Sequence, residues 1–194
     1  MSLVPAFELG LANAWIFKLL GILIVPGVGS LINKEAMEKF GETPTAPYRK
    51  KEKLSGRIIS SFALPFIVYS IFLPLKLGTV WFLVGLPICL LALVIGFISV
   101  FSFTTTPLDE LVTKGTYRIS RNPICLAGFL IDLGIGIACA SWIFLLYAMV
   151  GLILMHIMIS PEERFLLKKY GAAYREYMIR TPRWIGIPKL KVEK

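Results

Sequence analysis

Residues 124–159 read ICLAGFLIDLGIGIACASWIFLLYAMVGLILMHIMI, an apolar run whose only titratable side chains, apart from cysteine and tyrosine, are Asp132 and His156. As a single helix the run would measure about 54 Å, nearly twice the ~30 Å of the hydrocarbon core of a bilayer. It therefore has to cross the membrane twice, with a turn near residues 139–142. Both ends of such a hairpin emerge on one side of the membrane. The polar loop before residue 124 and the acidic residues after residue 160 are thus expected to meet there.

The composition of the whole chain supports a membrane protein. Of its 194 residues 56% are hydrophobic, and the mean hydropathy is +0.74, whereas a soluble domain is about 45–50% apolar. The length allows one domain with several spans. We predict a single membrane domain over residues 1–194. Residues 1–103 would hold the first three spans, and residues 104–194 a polar loop, the hairpin and a C-terminal tail.

Three further apolar segments, residues 15–32, 58–75 and 80–103, predict three spans before the hairpin, with Lys18 extending towards the interface. The fold class is therefore all-α, with five transmembrane helices.

Of the 21 Lys and Arg residues, 19 lie in residues 33–57, residues 104–122 or after residue 159. Alternating crossings place these segments on one side, which the positive-inside rule makes the cytoplasm. A basic run beside spans is typical of a surface near anionic lipid, so we predict no nucleic-acid partner.

Few polar side chains stand inside the apolar segments. Asp132 opens a D-x-G-x-G pattern, but the turn with which soluble enzymes hold an adenosine cofactor needs a strand before it and does not occur within a span. A carboxylate at this depth either faces a polar cavity or is a structural group, and the sequence leaves both open. His156 is interpreted as an interfacial structural residue. The three cysteines stand singly and match no metal pattern, so we predict no metal site.

The loop before the hairpin and the segment after it carry the polar motifs. Pro123 suits the first position of a helix, and Asn122 before it is a residue type that caps helices. Free amides at such a helix start attract an anion, but a plain interfacial cap explains the pattern as well. After Pro161, residues 162–177 repeat aromatic and basic positions at helical spacing. They predict an amphipathic helix on the membrane surface.

Several of these motifs occur together in one family. They are Leu111-Val112-Thr113-Lys114-Gly115-Thr116-Tyr117, Arg121-Asn122-Pro123, Glu162-Glu163, Leu166, Tyr170-Gly171, Tyr174, Tyr177 and Pro182-Arg183. In order and spacing they resemble the isoprenylcysteine carboxyl methyltransferase family, and most closely its small prokaryotic members with five spans. The resemblance covers the C-terminal two-fifths of the chain.

The resemblance implies that S-adenosylmethionine binds in a cytosol-facing pocket walled by the last two spans and the tail, and leaves as S-adenosylhomocysteine. The residues that it assigns to the cofactor are Glu110, Leu111, Val112, Tyr117, Asn122, Pro123, Ile124, Cys125 and Glu162. Cys125 stands where the family usually has tyrosine, and Asn122 where many members have histidine. Glu110 lies where eukaryotic members carry a histidine-containing segment.

The implied reaction is methyl transfer to the carboxylate of a lipophilic, prenylcysteine-like acceptor at the cytoplasmic face of the cell membrane. The carboxylate is already ionised near neutral pH, so no base is needed, and Arg121, or else Arg118, would orient it as the catalytic cation. Membrane lipid and this acceptor are the expected partners. One alternative is a phospholipid or amine N-methyltransferase with Glu163 or Asp132 as base. The others are an NADPH-dependent membrane reductase and a membrane adaptor without enzymatic activity.

Overall fold

The computed structural model describes residues 8–35, 48–107 and 109–186. This part of the chain is all-helical, as predicted, and its one β feature is an isolated bridge between Asn13 and Pro74. The helices are α1 (Trp15–Ile22), α2 (Gly29–Ile32), α3 (Lys50–Ile71), α4 (Val80–Thr104), α5 (Pro123–Ala138), α6 (Trp142–Tyr170) and α7 (Ala172–Arg180). A π-helical segment, Leu23–Val28, joins α1 to α2, and a 3-10 helix, Gly115–Arg118, precedes α5.

Three of the described helices, α3, α4 and α6, are long and apolar enough to cross a membrane. α5 is apolar but has 16 residues and is therefore about 24 Å long. The predicted hairpin of α5 and α6 is present, and its turn contains Ala140 in the left-handed region at φ 51°. The first predicted span corresponds to the three consecutive segments over residues 15–32. The count of five crossings stays a prediction.

The second predicted span, residues 58–75, was placed too late in the chain. α3 begins at Lys50 and ends at Ile71, so the basic run forms its first turns. The buried Glu52 anchors this start, because its carboxylate accepts from the Arg49 backbone N–H at 2.6 Å and from the Arg164 guanidinium at 2.8 and 2.9 Å. Hydropathy does not predict these turns, because they are polar and are held by an ion pair to another helix.

The predicted helix start after Pro161 is also wrong. α6 continues through this proline as far as Tyr170, and the separate helix of the tail is α7. Gly171 divides the two with φ at 55°, a conformation that glycine adopts without strain. Proline removes one helical hydrogen bond, but Glu163 and Arg164 are tied to other segments by ion pairs that hold the following turn.

α4 and α5 approach closely because small residues face each other. A Cβ on Gly85 would lie 2.4 Å from the Ala138 backbone nitrogen, and a Cβ on Gly134 would lie 2.5 Å from Cys89 Sγ. Van der Waals contact at this distance holds the two helices together, because the hydrophobic effect does not drive the association of helices within lipid. The rigid pair of α4 and α5 fixes the polar loop that joins them.

The basic segments lie at one end of the bundle. There Asn33 donates its side-chain N–H to the Thr104 carbonyl, and Arg164 binds Glu52. At the other end the backbone N–H of Lys76 donates to the Ala138 carbonyl. The 104–122 loop, the end of α6 and α7 therefore share one polar end.

Candidate active site

A cavity of about 410 Å³ opens at the polar end, between the 106–112 segment, the start of α5, the end of α6 and α7. We call it the polar cavity. It contains all the residues that the sequence assigned to the cofactor, and the cation assigned to the acceptor: Glu110, Leu111, Val112, Tyr117, Arg121, Asn122, Pro123, Ile124, Cys125 and Glu162. The volume falls within the roughly 300–1,000 Å³ of small-molecule sites. Two segments far apart in the sequence thus form one site.

Sequence reasoning left several other lining residues out of the site. They are Phe103, Thr106, Pro107, Phe165, Leu166, Lys169, Tyr170, Tyr174 and Tyr177. Helical spacing gave a signal for some of these, because positions three, four and seven after Glu162 share its face. The residues at the end of α4 carry no comparable signal in the sequence. They enter the cavity because α4 packs against α5.

The polar loop is held by contacts around Gly115. Its φ is 60°, a conformation that favours glycine, and a Cβ there would lie 2.2 Å from Ser102 Oγ and displace that hydroxyl. The adjacent Thr116 hydroxyl lies 2.8 Å from the Ser99 hydroxyl. This fixed turn directs Tyr117 into the buried wall of the polar cavity.

Tyr117 and α7 are connected directly. The Tyr177 hydroxyl donates to the Tyr117 carbonyl at 2.7 Å, and both residues are buried. Burial is the main cause that raises the pKa of both phenols above the usual value, and burial raises that of Tyr174 to about 12. These tyrosines are therefore neutral near pH 7, and they give the site an aromatic wall without charge.

The start of α5 differs from the prediction in one detail. Pro123 occupies the first helical turn as expected, but the Asn122 side chain makes no capping bond. Its amide instead donates to the Arg183 carbonyl at 3.2 Å. Tertiary contact with the tail outcompetes the local cap, and the helix start is left open towards the polar cavity.

Residues 181–186 form a strap across this end of the molecule. The Arg121 backbone N–H donates to the Pro182 carbonyl at 3.0 Å, and the Gly186 N–H donates to the Ile119 carbonyl at 3.2 Å. Trp184 Nε1 donates to His156 Nδ1 at 3.0 Å. The strap therefore ties the loop before α5 to the middle of α6, and His156 has the structural role that its sequence context predicts.

Glu163 is the centre of an ion cluster beneath the strap. Its carboxylate lies 2.9 Å from Arg121 Nη1 and accepts from Arg183 Nε at 3.1 Å, with a second contact to Arg183 Nη2. Its side chain is 9% exposed. The buried Arg121 Nε has no hydrogen-bond partner in the described part of the chain. Two guanidinium groups and one carboxylate give the cluster a net charge of +1.

The neighbouring Glu162 has a different environment. Its side chain lines the polar cavity and makes no ion pair with any residue that the structure describes. Adjacent positions on a helix point in different directions, so one carboxylate faces the strap and the other faces the cavity. Glu162 is thus available to a ligand, whereas Glu163 is occupied by protein cations.

A second cavity, of about 500 Å³, lies between α3, α5 and α6, with Trp184 at its polar end. We call it the apolar cavity, because Asp132 is the one residue with a formal charge in its lining. It shares Ile124 and Cys125 with the polar cavity. A third cavity, of about 360 Å³, lies between α1, α4 and α5 and also includes Ile124.

Asp132 is paired with Lys18 of α1, and the two side chains are 17% and 14% exposed. The expectation that Lys18 extends to the interface is therefore wrong. A buried carboxylate within reach stabilises the ammonium group more than the distant interface does. Asp132 also lines the second and third cavities, so the two interpretations left open by the sequence apply together.

The family model for phospholipid methyltransferases matches residues 77–173, which is half of the chain. The chain belongs to the phospholipid methyltransferase family. The matched region contains α4, the polar loop, α5 and α6. No curated protein matches the chain.

Family membership establishes an integral membrane methyltransferase. Members of the phospholipid methyltransferase family use S-adenosylmethionine. The family belongs to the same superfamily as the isoprenylcysteine carboxyl methyltransferases, so the predicted resemblance is confirmed at that broader level. The narrower family stays a prediction. Among the described residues no three His, Cys, Asp or Glu side chains are grouped as a metal would require.

Proposed function

We propose that the protein transfers a methyl group from S-adenosylmethionine, bound in the polar cavity, to a lipophilic acceptor in the apolar cavity. The observation that carries this proposal is the wall shared by the two cavities, Ile124 and Cys125 at the start of α5. One side of this wall is reached from the polar end, and the other lies among the apolar faces of three helices. A water-soluble donor and a membrane-soluble acceptor can therefore meet at one point.

The residues of the polar cavity suit this cofactor. The Glu162 carboxylate would accept hydrogen bonds from ribose hydroxyls or from the ammonium group, and Tyr117 supplies a neutral aromatic surface. The open start of α5 offers backbone N–H groups to an anionic group such as a carboxylate. When bound, the cofactor supplies a methyl group already activated as a sulfonium. The protein then has to align the acceptor and exclude water.

A carboxylate is the acceptor group that the geometry favours. It needs no base, and the cluster of Arg121, Glu163 and Arg183 carries a net positive charge that attracts it. An amine acceptor would need a base, but Glu163 and Asp132 are both held by cations. The preferred proposal is therefore a prenylcysteine-like carboxylate. Arg121, whose Nε has no hydrogen-bond partner among the described residues, would orient it.

A phospholipid amine is the second candidate, and the family match is the observation that favours it. The same cluster would then hold the lipid phosphate, and the amine would react in its neutral form. The two candidates differ in the reacting atom but use the same two cavities.

Calorimetry on the detergent-purified protein tests the cofactor, with S-adenosylhomocysteine and NADPH as ligands. We expect S-adenosylhomocysteine to bind and NADPH not to bind. Binding of NADPH alone would support the reductase alternative, and binding of neither would support an adaptor. Methyl transfer from labelled S-adenosylmethionine to a farnesylcysteine acceptor, compared with phosphatidylethanolamine vesicles, then identifies the acceptor.

We also propose that the polar cavity faces the cytoplasm and that the N-terminus lies outside. The support is the bias of the basic residues and their position at one end of the bundle. Single cysteines at positions 51 and 76, in a background without the native cysteines, test it in intact cells. An impermeant thiol reagent should label position 76 and leave position 51 unlabelled. The reverse pattern would overturn the orientation.

A further inference from the structure

The deep end of the apolar cavity lies among aromatic side chains. Along α6 its lining extends from Met155, near the polar end, to Ile143. Tyr147, at the level where the lining of the other two helices ends, is a little over two turns from Met155, so the cavity is about 12 Å deep to that level. On the other two helices the deepest lining residues are Phe66 of α3 and Asp132 of α5. Both stand beside Tyr147 of α6, which lines the cavity too.

Aromatic rings pack against one another across this end. Phe66 stacks on Tyr147 with 3.7 Å between ring centroids and 11° between planes, and Phe144 meets Phe66 edge-on at 5.6 Å. Phe144 is fully buried. Stacked and edge-on rings gain energy beyond their buried area, so a ligand does not displace them easily. We call these three residues the floor.

The ion pair between Lys18 and Asp132 lies against this floor. Lys18 Nζ lies 5.6 Å from the centroid of the Phe144 ring and 5.4 Å from that of Tyr147. A hydrocarbon chain that continued past the floor would separate the ammonium from the rings and leave charged groups against methylene. Both changes cost free energy in a site without water.

We infer that the floor of Phe66, Phe144 and Tyr147, held by the Lys18–Asp132 pair, limits the hydrocarbon chain of the acceptor to about 12 Å. This inference rests on the proposed function, because it assigns the apolar cavity to the acceptor. The substrate class is then a lipid with one chain of limited length next to its reacting group. Longer chains have to bend out between the helices and lose contact with the cavity.

A series of S-alkyl and S-prenyl cysteine acceptors of rising chain length tests the limit, with the protein in lipid nanodiscs. Binding is measured with the methyl ester of each compound, which cannot be methylated again, and turnover with the free carboxylate. Affinity should rise about fourfold for each methylene that the cavity covers, which is the effect of burying one such group. Beyond the limit it should stop rising or fall.

Phe66→Ala should move the limit to chains longer by roughly two carbons or more, because it opens space in the floor. Phe66→Leu, which keeps more of the packing, should give a smaller shift in the same direction. Phe97→Ala is the matched control, since this α4 ring is 45% exposed and lines none of the three cavities. It should leave the limit where it is in the unchanged protein.

The outcomes separate this inference from the proposed function. If binding shows the limit and its shift but no compound is methylated, the floor stands and the carboxylate acceptor is wrong. If affinity and turnover continue to rise with chain length, the inference is overturned. It is also overturned if both Phe66 variants melt like the unchanged protein and keep its chain-length limit.

Discussion

The polar and apolar cavities differ in how the chain builds them. Most of the polar cavity comes from two short segments, residues 106–125 and 162–177, whose side chains carry recognisable motifs. The apolar cavity takes single faces from three helices, and Trp184 from the strap. The first thus forms where two segments meet, whereas the second exists only when three helices pack. Charged groups at the edge of each cavity allow the two to be tested separately.

The largest effect is expected for Glu163→Gln. This change removes the carboxylate that compensates Arg121 and Arg183, and the loss from a buried pair of this kind is about 3–5 kcal/mol of unfolding free energy. Both cavities should be disturbed, because the strap lines the apolar cavity through Trp184 and is hydrogen-bonded to Arg121 and Asn122 of the polar cavity. Denaturant titration in mild detergent measures it. Glu176→Gln, which breaks an exposed pair with Arg180, is the control and should change stability by less than about 1 kcal/mol. Equal effects would mean that the strap is not held by Glu163.

Asp132→Leu should have the next largest effect, and mainly on the apolar cavity. It leaves the Lys18 ammonium unpaired at mid-membrane depth, which costs about 2.5–3.5 kcal/mol on insertion scales. The double variant Lys18→Met with Asp132→Leu removes both charges and should recover most of the stability. The same titration measures both proteins. A double variant as unstable as the single one would show that the pair is not the main interaction.

Glu162→Gln tests the polar cavity separately, because it should affect only that cavity. Loss of a charge-assisted hydrogen bond should weaken S-adenosylhomocysteine binding by about 1.5–3 kcal/mol, with little change in melting temperature. Calorimetry measures the affinity. We expect Glu163→Gln, where it remains folded, to weaken binding less. Equal and small losses for both variants would indicate that the two glutamates only stabilise their helix.

Arg121→Lys should have the smallest effect and should separate rate from binding. Lysine keeps the charge opposite Glu163 but lacks the planar edge that can hold a carboxylate. We expect methyl transfer to fall roughly tenfold, or about 1.4 kcal/mol, with nearly unchanged cofactor affinity and melting temperature. If affinity falls in step with the rate, Arg121 belongs to the cofactor wall and Arg118 becomes the candidate for the acceptor.

Sequence reasoning succeeded where a local physical reason alone decides which residue type occupies a position. Pro123 is the example, because its missing N–H suits the first turn of a helix and it occupies that turn of α5. It failed where a distant partner decided the outcome. Asn122 binds the strap and not its own helix, and α6 continues through Pro161. In both cases a tertiary contact outweighed a local preference.

The sequence by itself determined that this protein is a helical membrane protein, that its C-terminal half folds as a hairpin, and that two polar motifs meet at one end. Length against bilayer thickness and the spacing of apolar residues are sufficient for that. Only the tertiary structure decided that Lys18 pairs with Asp132, that Glu163 is taken by arginines while Glu162 is available, and that two cavities meet at Ile124. Each of these depends on which helix faces are in contact. Side-chain packing decides this, because the apolar faces of a membrane helix have the same hydropathy and hydropathy does not choose among them.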